Sequence, residues 1–412
     1  MPENSTVSSL LDDIADVGRD TTRGGYSRGV YTDAELSLRE WFDAEARRRG
    51  LSVETDRNGI LWAWWDATDS RDGALVTGSH LDSVPGGGAF DGPLGVASAL
   101  AAVDLLRERG VEPRRSLAVA VFPEEEGSRF GLACLGSRLL TGALDPDHVR
   151  SLTDGDGTTF AEAMRSAGLD PRQLGRDDDA IRRIGDFVEL HVEQGRGLIE
   201  LESAVAIGST VLGHGRWRLS ISGQGNHAGT TLMADRADPM IAAAQVVLAV
   251  RKTAAEQDGA RATVGRLTPV PGGTNVIASR VDLWLDVRHE EDAVTASLIE
   301  KIHGQAQKIA AFEGCRATLT EESRTATMHF DGALQHTLRN SLDRSFPGAP
   351  TLPTGAGHDA GILGAIAPTA MLFVRNPTGI SHSPDEWAER DDCLAGVDAL
   401  TEVVADLAGR SS

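Results

Sequence analysis

The sequence predicts an α/β protein in which a domain with a mostly parallel sheet is interrupted by a smaller α+β domain. Short apolar runs at 74–83, 116–127 and 186–195 are typical of buried strands, and 368–374 is another. An apolar-faced helix is expected at 94–110, between the first two runs. Because strand and helix alternate, a mostly parallel α/β sheet is favoured.

The middle of the chain follows a different pattern. The segment at 217–222 alternates between apolar and polar residues, as a half-buried strand does. After it we expect a helix, two strands, a helix and a closing strand, at 238–255, 262–268, 280–288, 292–311 and RATLTEE. The order βαββαβ describes a self-contained two-layer α+β unit. We therefore expect a discontinuous domain of residues 1–208 and 325–412, with 209–324 inserted into it.

Length and charge limit the classes of partner. The chain has 412 residues, which suits two domains. Its formal net charge of −21 would repel nucleic acid and anionic membranes, since phosphate binding requires a basic surface. We expect no nucleic-acid partner, no membrane partner and a small-molecule substrate.

The cysteines and the apolar segments bear on the compartment. Cys134, Cys315 and Cys393 are far apart and form no C-x-x-C pair, so neither a disulfide framework nor a thiolate zinc site is expected. The N-terminal segment resembles no signal peptide, and no segment reaches the roughly 18 apolar residues of a membrane span. A cytoplasmic location follows as an expectation.

Side chains that commonly bind metals stand where the expected strands end. They are His80 and Asp82, Asp91, Glu124, Glu125 and Glu126, His191 with Glu193, and His382. Ligands of open parallel sheets bind beyond the carboxyl ends of the strands, so these groups could converge. Imidazole with carboxylate, without thiolate, suits zinc, manganese, cobalt or nickel. Asp91 lies in the glycine-rich loop GGGAFDG and is well placed to bridge two ions.

Each of these residues also has a plainer interpretation. A single histidine at a strand end is more often structural than a ligand, and a glutamate triplet is usually a solvated turn. The metal interpretation depends on the order of the motifs: H-x-D, a glycine-rich loop with aspartate, an apolar strand opening into E-E-E-G, and then H-x-E-Q-G. A nucleotide-binding interpretation of GGGAFDG is weak, because neither G-x-G-x-x-G nor a Walker lysine follows the strand.

Together these motifs resemble a known family. The similarity is to the dinuclear zinc peptidases and amidohydrolases that include aminoacylase and carboxypeptidase G, and within them to the carbamoylase and allantoate amidohydrolase branch. It extends over nearly the whole chain. Its signatures are GSHLDSV, GGGAFDG, PEEEGSRFG, ELHVEQG, GQGNHAGTT, TNVIASRVDLWLDVRH, GAGHDA and ISHSPDE.

The resemblance implies a catalytic domain with two divalent metal ions. His80 and His382 would bind opposite ions, Asp91 would bridge them, and Glu126 and His191 would complete the ligand sets. In the same family pattern the position of Glu125 is that of the general base.

Asp82 stands two residues after His80, on the same side of an extended chain. We expect its carboxylate to orient the His80 imidazole. A loop cap is the plainer alternative for Asp82.

The inserted domain would act as a lid and dimerisation domain, implying a homodimer. His227 in GQGNHAGTT resembles the residue that stabilises the tetrahedral oxyanion, reaching into the partner subunit's site. Asn275 and Arg288 match substrate-holding positions, where arginine can grip a carboxylate with two hydrogen bonds; an exposed strand arginine is the alternative. Weaker substrate contacts are implied for Gln194, Gly357 and His358, the last with a structural role as its alternative.

The expected activity is hydrolysis of the ureido, or linear amide, bond of an N-carbamoyl-L-amino acid or close analogue. Allantoate amidohydrolase is the main alternative, and the motifs do not separate the two. More remote alternatives are N-carbamoyl-β-alanine amidohydrolase, an aminoacylase or dipeptidase, and a noncatalytic metal-binding protein. The last would require the general base to be missing, whereas Glu125 is present.

Overall fold

The structure is a computed structural model that describes residues 6–409. The helices are α1 (Val7–Asp13), α2 (Asp33–Arg48), α3 (Pro93–Glu108), α4 (Leu135–Thr141), α5 (Pro146–Ser151), α6 (Phe160–Ser166), α7 (Asp178–Arg183), α8 (Gly197–Glu200), α9 (Pro239–Ala255), α10 (Asp292–Phe312), α11 (Gly332–Leu342), α12 (Asp359–Leu363) and α13 (Arg390–Ala408). The strands are β1 (Ser52–Thr55), β2 (Leu61–Trp65), β3 (Ala74–His80), β4 (Leu117–Phe122), β5 (Ile184–Val192), β6 (Val205–Val211), β7 (Gly213–Ser222), β8 (Asn226–His227), β9 (Arg261–Val270), β10 (Val276–Ile277), β11 (Arg280–His289), β12 (Arg316–Thr325), β13 (Met328–His329), β14 (Thr351–Thr354) and β15 (Thr369–Val374).

The chain divides into two compact units. The first contains the chain up to Ser209 and from His329 onward, and the second is Thr210–Met328. These junctions lie beside the boundaries expected from the sequence. Within residues 6–409, no helix combines the length and the apolar character that crossing a membrane requires.

The first unit is built on a nine-stranded sheet with a parallel centre. Its order is β1-β2-β4-β3-β5-β15-β6-β13, with β14 beside β6. The four central strands β4, β3, β5 and β15 pair in parallel with one another. The pairings β1–β2, β2–β4 and β6–β15 are antiparallel. All residues of β3, β4 and β15 are buried, as their continuous apolar runs predicted. The predicted mostly parallel sheet is confirmed, and the carboxyl ends of its four central strands share one edge.

The antiparallel hairpin β1–β2 was not anticipated. Its first strand, SVET, is only half-buried, and its second, LWAWW, has no polar alternation that would mark a surface strand. Trp62 and Trp64 are nevertheless both buried, because β2 lies between β1 and β4. Tertiary pairing, rather than a local pattern, places this hairpin in the sheet.

The second unit is a four-stranded antiparallel sheet packed against α9 and α10. The strand order is β12-β7-β11-β9, and the chain order of the long elements is βαββαβ, as predicted. In β11 one face is apolar and buried, formed by Val281, Leu283, Leu285 and Val287. Arg288 belongs to the opposite face, because neighbouring residues of a strand point to opposite sides.

Candidate metal centre

Five side chains with metal-ligand chemistry meet at the carboxyl edge of the parallel strands. His80 is the last residue of β3, and His191 is the last but one of β5. Glu126 follows β4, and His382 follows β15. Asp91 lies in the loop between β3 and α3. The parallel arrangement therefore brings together residues that are far apart in the sequence.

The first ligand group is formed by His80, Asp91 and His191. Nε2 of His80 is 3.5 Å from Oδ1 of Asp91, and Nε2 of His191 is 3.2 Å from the same oxygen. Two atoms that each lie about 2.0–2.1 Å from a tetrahedral Zn²⁺ are about 3.3 Å apart. The three atoms are thus spaced as ligands of one ion.

The second ligand group is formed by Asp91, Glu126 and His382. Nε2 of His382 is 3.6 Å from Oδ2 of Asp91 and 3.3 Å from Oε2 of Glu126. Asp91 therefore offers one carboxylate oxygen to each group, the arrangement expected of a bridging ligand. The His382 side chain is 49% exposed, and its backbone has a φ of 56°, a left-handed conformation that is uncommon outside glycine.

The hydrogen bonds of the described residues leave four polar atoms of the site without partners. Nδ1 of His80 is 2.9 Å from the Asp82 carbonyl, and Nδ1 of His191 is 2.9 Å from the Val192 carbonyl. Each Nδ1 must therefore donate, so that in the neutral ring, the form that binds a metal ion, the lone pair is on Nε2. Among residues 6–409, both Nε2 atoms, Oδ1 of Asp91 and Oε1 of Glu126 are buried without a hydrogen-bond partner. This donor set fits divalent cations.

The electrostatics of the polypeptide also favour a cation. Burial, with the Asp91 carboxylate nearby, raises the pKa of Glu126 to about 8. Burial raises the pKa of Glu125 well above its usual value. Burial alone would lower the pKa of His80, but Glu125 and Asp91 raise it well above the ordinary value. The site is rich in carboxyl groups whose ionised form burial disfavours, and a divalent cation would stabilise that form.

Asp82 supports the site differently from the expectation. Its main-chain carbonyl, rather than its carboxylate, is the hydrogen-bond partner of His80; Nδ1 lies 3.7 Å from Oδ1. The carboxylate instead accepts the backbone N–H groups of Glu125 and Glu126, both at 3.2 Å. Asp82 therefore ties the end of β3 to the end of the neighbouring strand β4.

Glu125 lies beside the first ligand group. It is 5% exposed, and its Oε2 is 3.7 Å from Nε2 of His80. The Cys134 thiol is 3.5 Å from its Oε1 and donates a weak hydrogen bond. Glu125 thus presents a carboxylate at the ion site without belonging to either ligand group.

Gly92 allows the His80 ring to lie against the backbone. It precedes α3 and has a φ of 84°. A Cβ at this position would overlap the His80 ring, so both the conformation and the space require glycine.

The three residues of the first unit that were expected to contact substrate differ in how they relate to the ligand groups. Gln194 donates to Oδ2 of Asp91 at 2.8 Å, so its amide orients the bridging carboxylate. His358 is 2% exposed, and its ring centroid is 4.5 Å from that of His191. Burial, and then the neighbouring His191, hold the pKa of His358 well below its usual value. Gly357 is exposed in the loop before α12.

The remaining expected residues lie in the second unit. β8 pairs with β10, and the Ala228 amide donates to the Asn275 carbonyl, so His227 and Asn275 are neighbours. Nδ1 of His227 accepts the Gly229 amide at 3.0 Å, which leaves Nε2 to carry the proton of the neutral ring. Arg288 makes two hydrogen bonds to Asp286, of 2.6 and 2.9 Å.

Some residues of the site were not identified from the sequence. Glu189 is buried in β5, where it accepts hydrogen bonds from Ser79 and the Ala360 amide. Glu189 stands two residues before His191 in an apolar run, and a carboxylate at such a position could have indicated from the sequence that it belongs to the site. Glu193, by contrast, accepts the Gly197 and Leu198 amides and caps α8. Glu189, His191 and His358 form a third group that could hold a metal ion. It shares His191 with the first ligand group, and Nδ1 of His191 is already bonded to the Val192 carbonyl.

Comparisons with known proteins identify the family of this chain. The family model described as Peptidase family M20/M25/M40 matches residues 76–406. The chain is 35% identical to an N-carbamoyl-L-amino acid amidohydrolase of Geobacillus stearothermophilus, over 99% of both chains. It is 32% identical to an allantoate amidohydrolase of Bacillus subtilis strain 168, over 98% of both.

A solved structure, of an amidase of the hydantoinase/carbamoylase family from Burkholderia multivorans, superimposes with a TM-score of 0.89 at 30% identity. It covers 100% of this chain and 99% of its own. These likenesses confirm the predicted branch of the family.

We predict that divalent cations bind to the native protein and stabilise it. At a free concentration about 100 times Kd, an ion bound only by the folded state raises the free energy of unfolding by about 2.7 kcal/mol. His80→Ala should lose bound metal, since it removes a ligand atom. His336→Ala is the control, because this histidine is exposed on α11 and belongs to neither ligand group. Metal analysis and thermal unfolding measure both effects, and equal metal content in the two variants would contradict the assignment.

We predict that Gly92→Ala releases metal, because the new Cβ displaces the His80 ring. Gly110→Ala is a matched control: its φ is also positive, at 66°, but no other atom lies within 4 Å of the place that its Cβ would take. Gly110→Ala should lose about 1–2 kcal/mol of stability through its positive φ. Gly92→Ala should lose more, because its φ of 84° and ψ of −60° lie outside the left-handed helical region that other residues can adopt. Only Gly92→Ala should reduce metal content, and retention of metal by it would refute the packing argument.

Proposed function

The chain belongs to Peptidase family M20/M25/M40, and from this premise we propose that it is a metal-dependent hydrolase of the ureido bond of N-carbamoyl-L-amino acids or close analogues. One observation carries the proposal: two ligand groups share Asp91, and the carboxylate of Glu125 lies beside them. His80, Asp91, His191, Glu126 and His382 would hold two divalent ions, zinc or else manganese, cobalt or nickel.

Glu125 is the proposed general base. Bound ions of this kind polarise a carbonyl and lower the pKa of a nearby water. The Glu125 carboxylate would accept a proton from the attacking water and then deliver it to the departing nitrogen. With an N-carbamoyl amino acid the products are the free amino acid, ammonia and carbon dioxide.

His227 is the proposed donor to the tetrahedral oxyanion. The Gly229 amide occupies Nδ1, so the neutral ring offers an N–H at Nε2. A donor aimed at the oxygen where negative charge develops lowers the barrier. We further propose that this imidazole serves the site of the partner subunit in a homodimer formed through the second unit.

Arg288 and Asn275 are the proposed substrate-holding residues. In the free protein Asp286 holds the Arg288 guanidinium with both of its oxygens. This bidentate geometry is the one that a substrate carboxylate would use. Gln194, Gly357 and His358 are retained as weaker candidate contacts.

A panel of substrates tests the activity and separates it from allantoate hydrolysis. Ammonia release is measured with N-carbamoyl-L-amino acids, N-carbamoyl-β-alanine, allantoate and N-acetyl amino acids, each with zinc, manganese or cobalt. We expect the highest kcat/KM for an N-carbamoyl-L-amino acid. A preference for allantoate would favour the alternative, which the Bacillus subtilis relative supports. Turnover of N-acetyl substrates alone would contradict the ureido assignment.

The location is proposed to be cytoplasmic. The cysteines Cys134, Cys315 and Cys393 are free, and Cys134 and Cys393 are buried, which supports a reducing compartment.

We predict that Glu125→Gln keeps its metal and loses roughly 10²–10⁴-fold in kcat, because the amide keeps the shape but cannot accept the proton. The neighbouring Glu124→Gln is the control. Oε1 of Glu124 accepts the Arg129 and Phe130 amides, and a glutamine oxygen can do the same. Near-normal kcat in Glu125→Gln would refute its role as the base, and loss of metal would make it a ligand.

We predict that Arg288→Lys raises KM for a carboxylate substrate, since lysine lacks the planar fork. A substrate amidated at its carboxyl group should be poor for the unsubstituted enzyme and little worse for the variant. Arg280→Lys is the control, because Arg280 also pairs with an aspartate two residues away, Asp282. Equal losses on acid and amide substrates would show that Arg288 does not hold the carboxylate.

A further inference from the structure

Glu386 is a buried carboxylate that contacts the loop bearing Asp91. It is 3% exposed and lies four residues after His382. Its Oε1 accepts the backbone N–H groups of Phe90 at 3.1 Å and of Asp91 at 3.0 Å. Hydrogen bonds to an ionised carboxylate are stronger than those between neutral groups. One oxygen thus holds the backbone of the bridging residue.

The other oxygen of Glu386 is connected to the Asp91 side chain. The Ser381 hydroxyl lies 3.4 Å from Oε2 of Glu386 and 3.2 Å from Oδ2 of Asp91. A hydroxyl has one proton, so Ser381 donates to one carboxylate at a time. The residue preceding His382 is thereby tied to both carboxylates.

Packing leaves little freedom to this connection. The Trp387 ring meets the Phe90 ring edge to face, with centroids 5.6 Å apart. Gly88 lies against the Glu386 side chain, and a Cβ at Gly88 would overlap its carboxylate. Gly88 does not have a positive φ, so space rather than backbone conformation requires glycine here.

We propose that Glu386 is a positioning residue that fixes the Asp91 loop against the His382 loop and so sets the spacing of the second ligand group. The inference rests on the proposed role of Asp91 and His382 as ligands. Asp91 lies in one loop and Ser381, which precedes His382, lies in another loop 290 residues later in the chain, and the contacts of Glu386 and Ser381 join these loops at the ligands themselves. Partners that orient metal ligands typically contribute 10- to 100-fold to metal affinity.

Three variants separate positioning from charge and from general stability. Glu386→Ala removes the acceptor. Glu386→Gln keeps an oxygen that can accept both amides but removes the charge. Gly88→Ala removes no polar group but displaces the Glu386 carboxylate. Asp56→Ala is the control, because Asp56 likewise accepts two backbone amides, from Asn58 at 2.9 Å and Ile60 at 3.0 Å, away from the site.

The test is titration of each metal-free full-length variant with Zn²⁺ and with Mn²⁺ by calorimetry, together with thermal unfolding without metal. We expect Glu386→Ala and Gly88→Ala to lose about 10- to 100-fold in affinity for one of the two ions, and Glu386→Gln to bind both like the unsubstituted protein. Asp56→Ala should unfold at a lower temperature with unchanged affinity.

Unchanged affinity in Gly88→Ala, or a loss in Glu386→Gln as large as in Glu386→Ala, would overturn the proposal. If Glu386→Ala does not fold, the comparison of Gly88→Ala with Glu386→Gln decides. The measurement needs no substrate, so a protein that binds ions as expected yet hydrolyses no member of the panel would refute the proposed function alone.

Discussion

The concentration of buried carboxylates at the carboxyl edge of the parallel strands is the constraint on which the site depends. An ion transferred from water into a protein interior costs several kcal/mol unless it is paired. Five carboxyl groups lie there, close enough to act electrostatically on one another or on the nearby histidines: those of Asp91, Glu125, Glu126, Glu189 and Asp359. Such a cluster is stable only if positive charge or hydrogen-bond donors are supplied, and the two ligand groups around Asp91 are where divalent cations would supply it.

The carboxylates divide into two sets by what compensates them. Asp82, Glu124 and Glu386 each accept two backbone amides, and these bonds hold the loops in place. Asp91 and Glu126 each keep an oxygen without a hydrogen-bond partner among residues 6–409, as Glu124 does at Oε2, but of these three only Asp91 and Glu126 belong to the ligand groups. Amide-bound carboxylates thus shape the loops, and Asp91 and Glu126 are available to ions. The imidazoles of His80 and His191 likewise bond to a backbone carbonyl through Nδ1, and their Nε2 atoms point to the ligand groups.

The sequence predicted those parts of the molecule that follow from local pattern. Continuous apolar strands indicated the parallel sheet, and because parallel strands end at one edge, the order of H-x-D, E-E-E-G and H-x-E-Q-G was enough to bring the ligand candidates together. It did not reveal Glu386, whose partners Phe90 and Asp91 lie almost 300 residues earlier. Nor could it show that Asp82 uses its carbonyl toward His80, since that depends on how the chain turns after β3. The periodicity of a sequence does not indicate hydrogen bonds between distant segments, nor which atom of a residue makes a contact.

Anomalous scattering from a crystal of the metal-loaded protein tests most directly whether two ions share Asp91. We expect two peaks about 3.5–4 Å apart. One should lie between His80 and His191, the other between Glu126 and His382, with the Asp91 carboxylate bridging them. A single peak would contradict this arrangement, as would a peak enclosed by Glu189, His191 and His358.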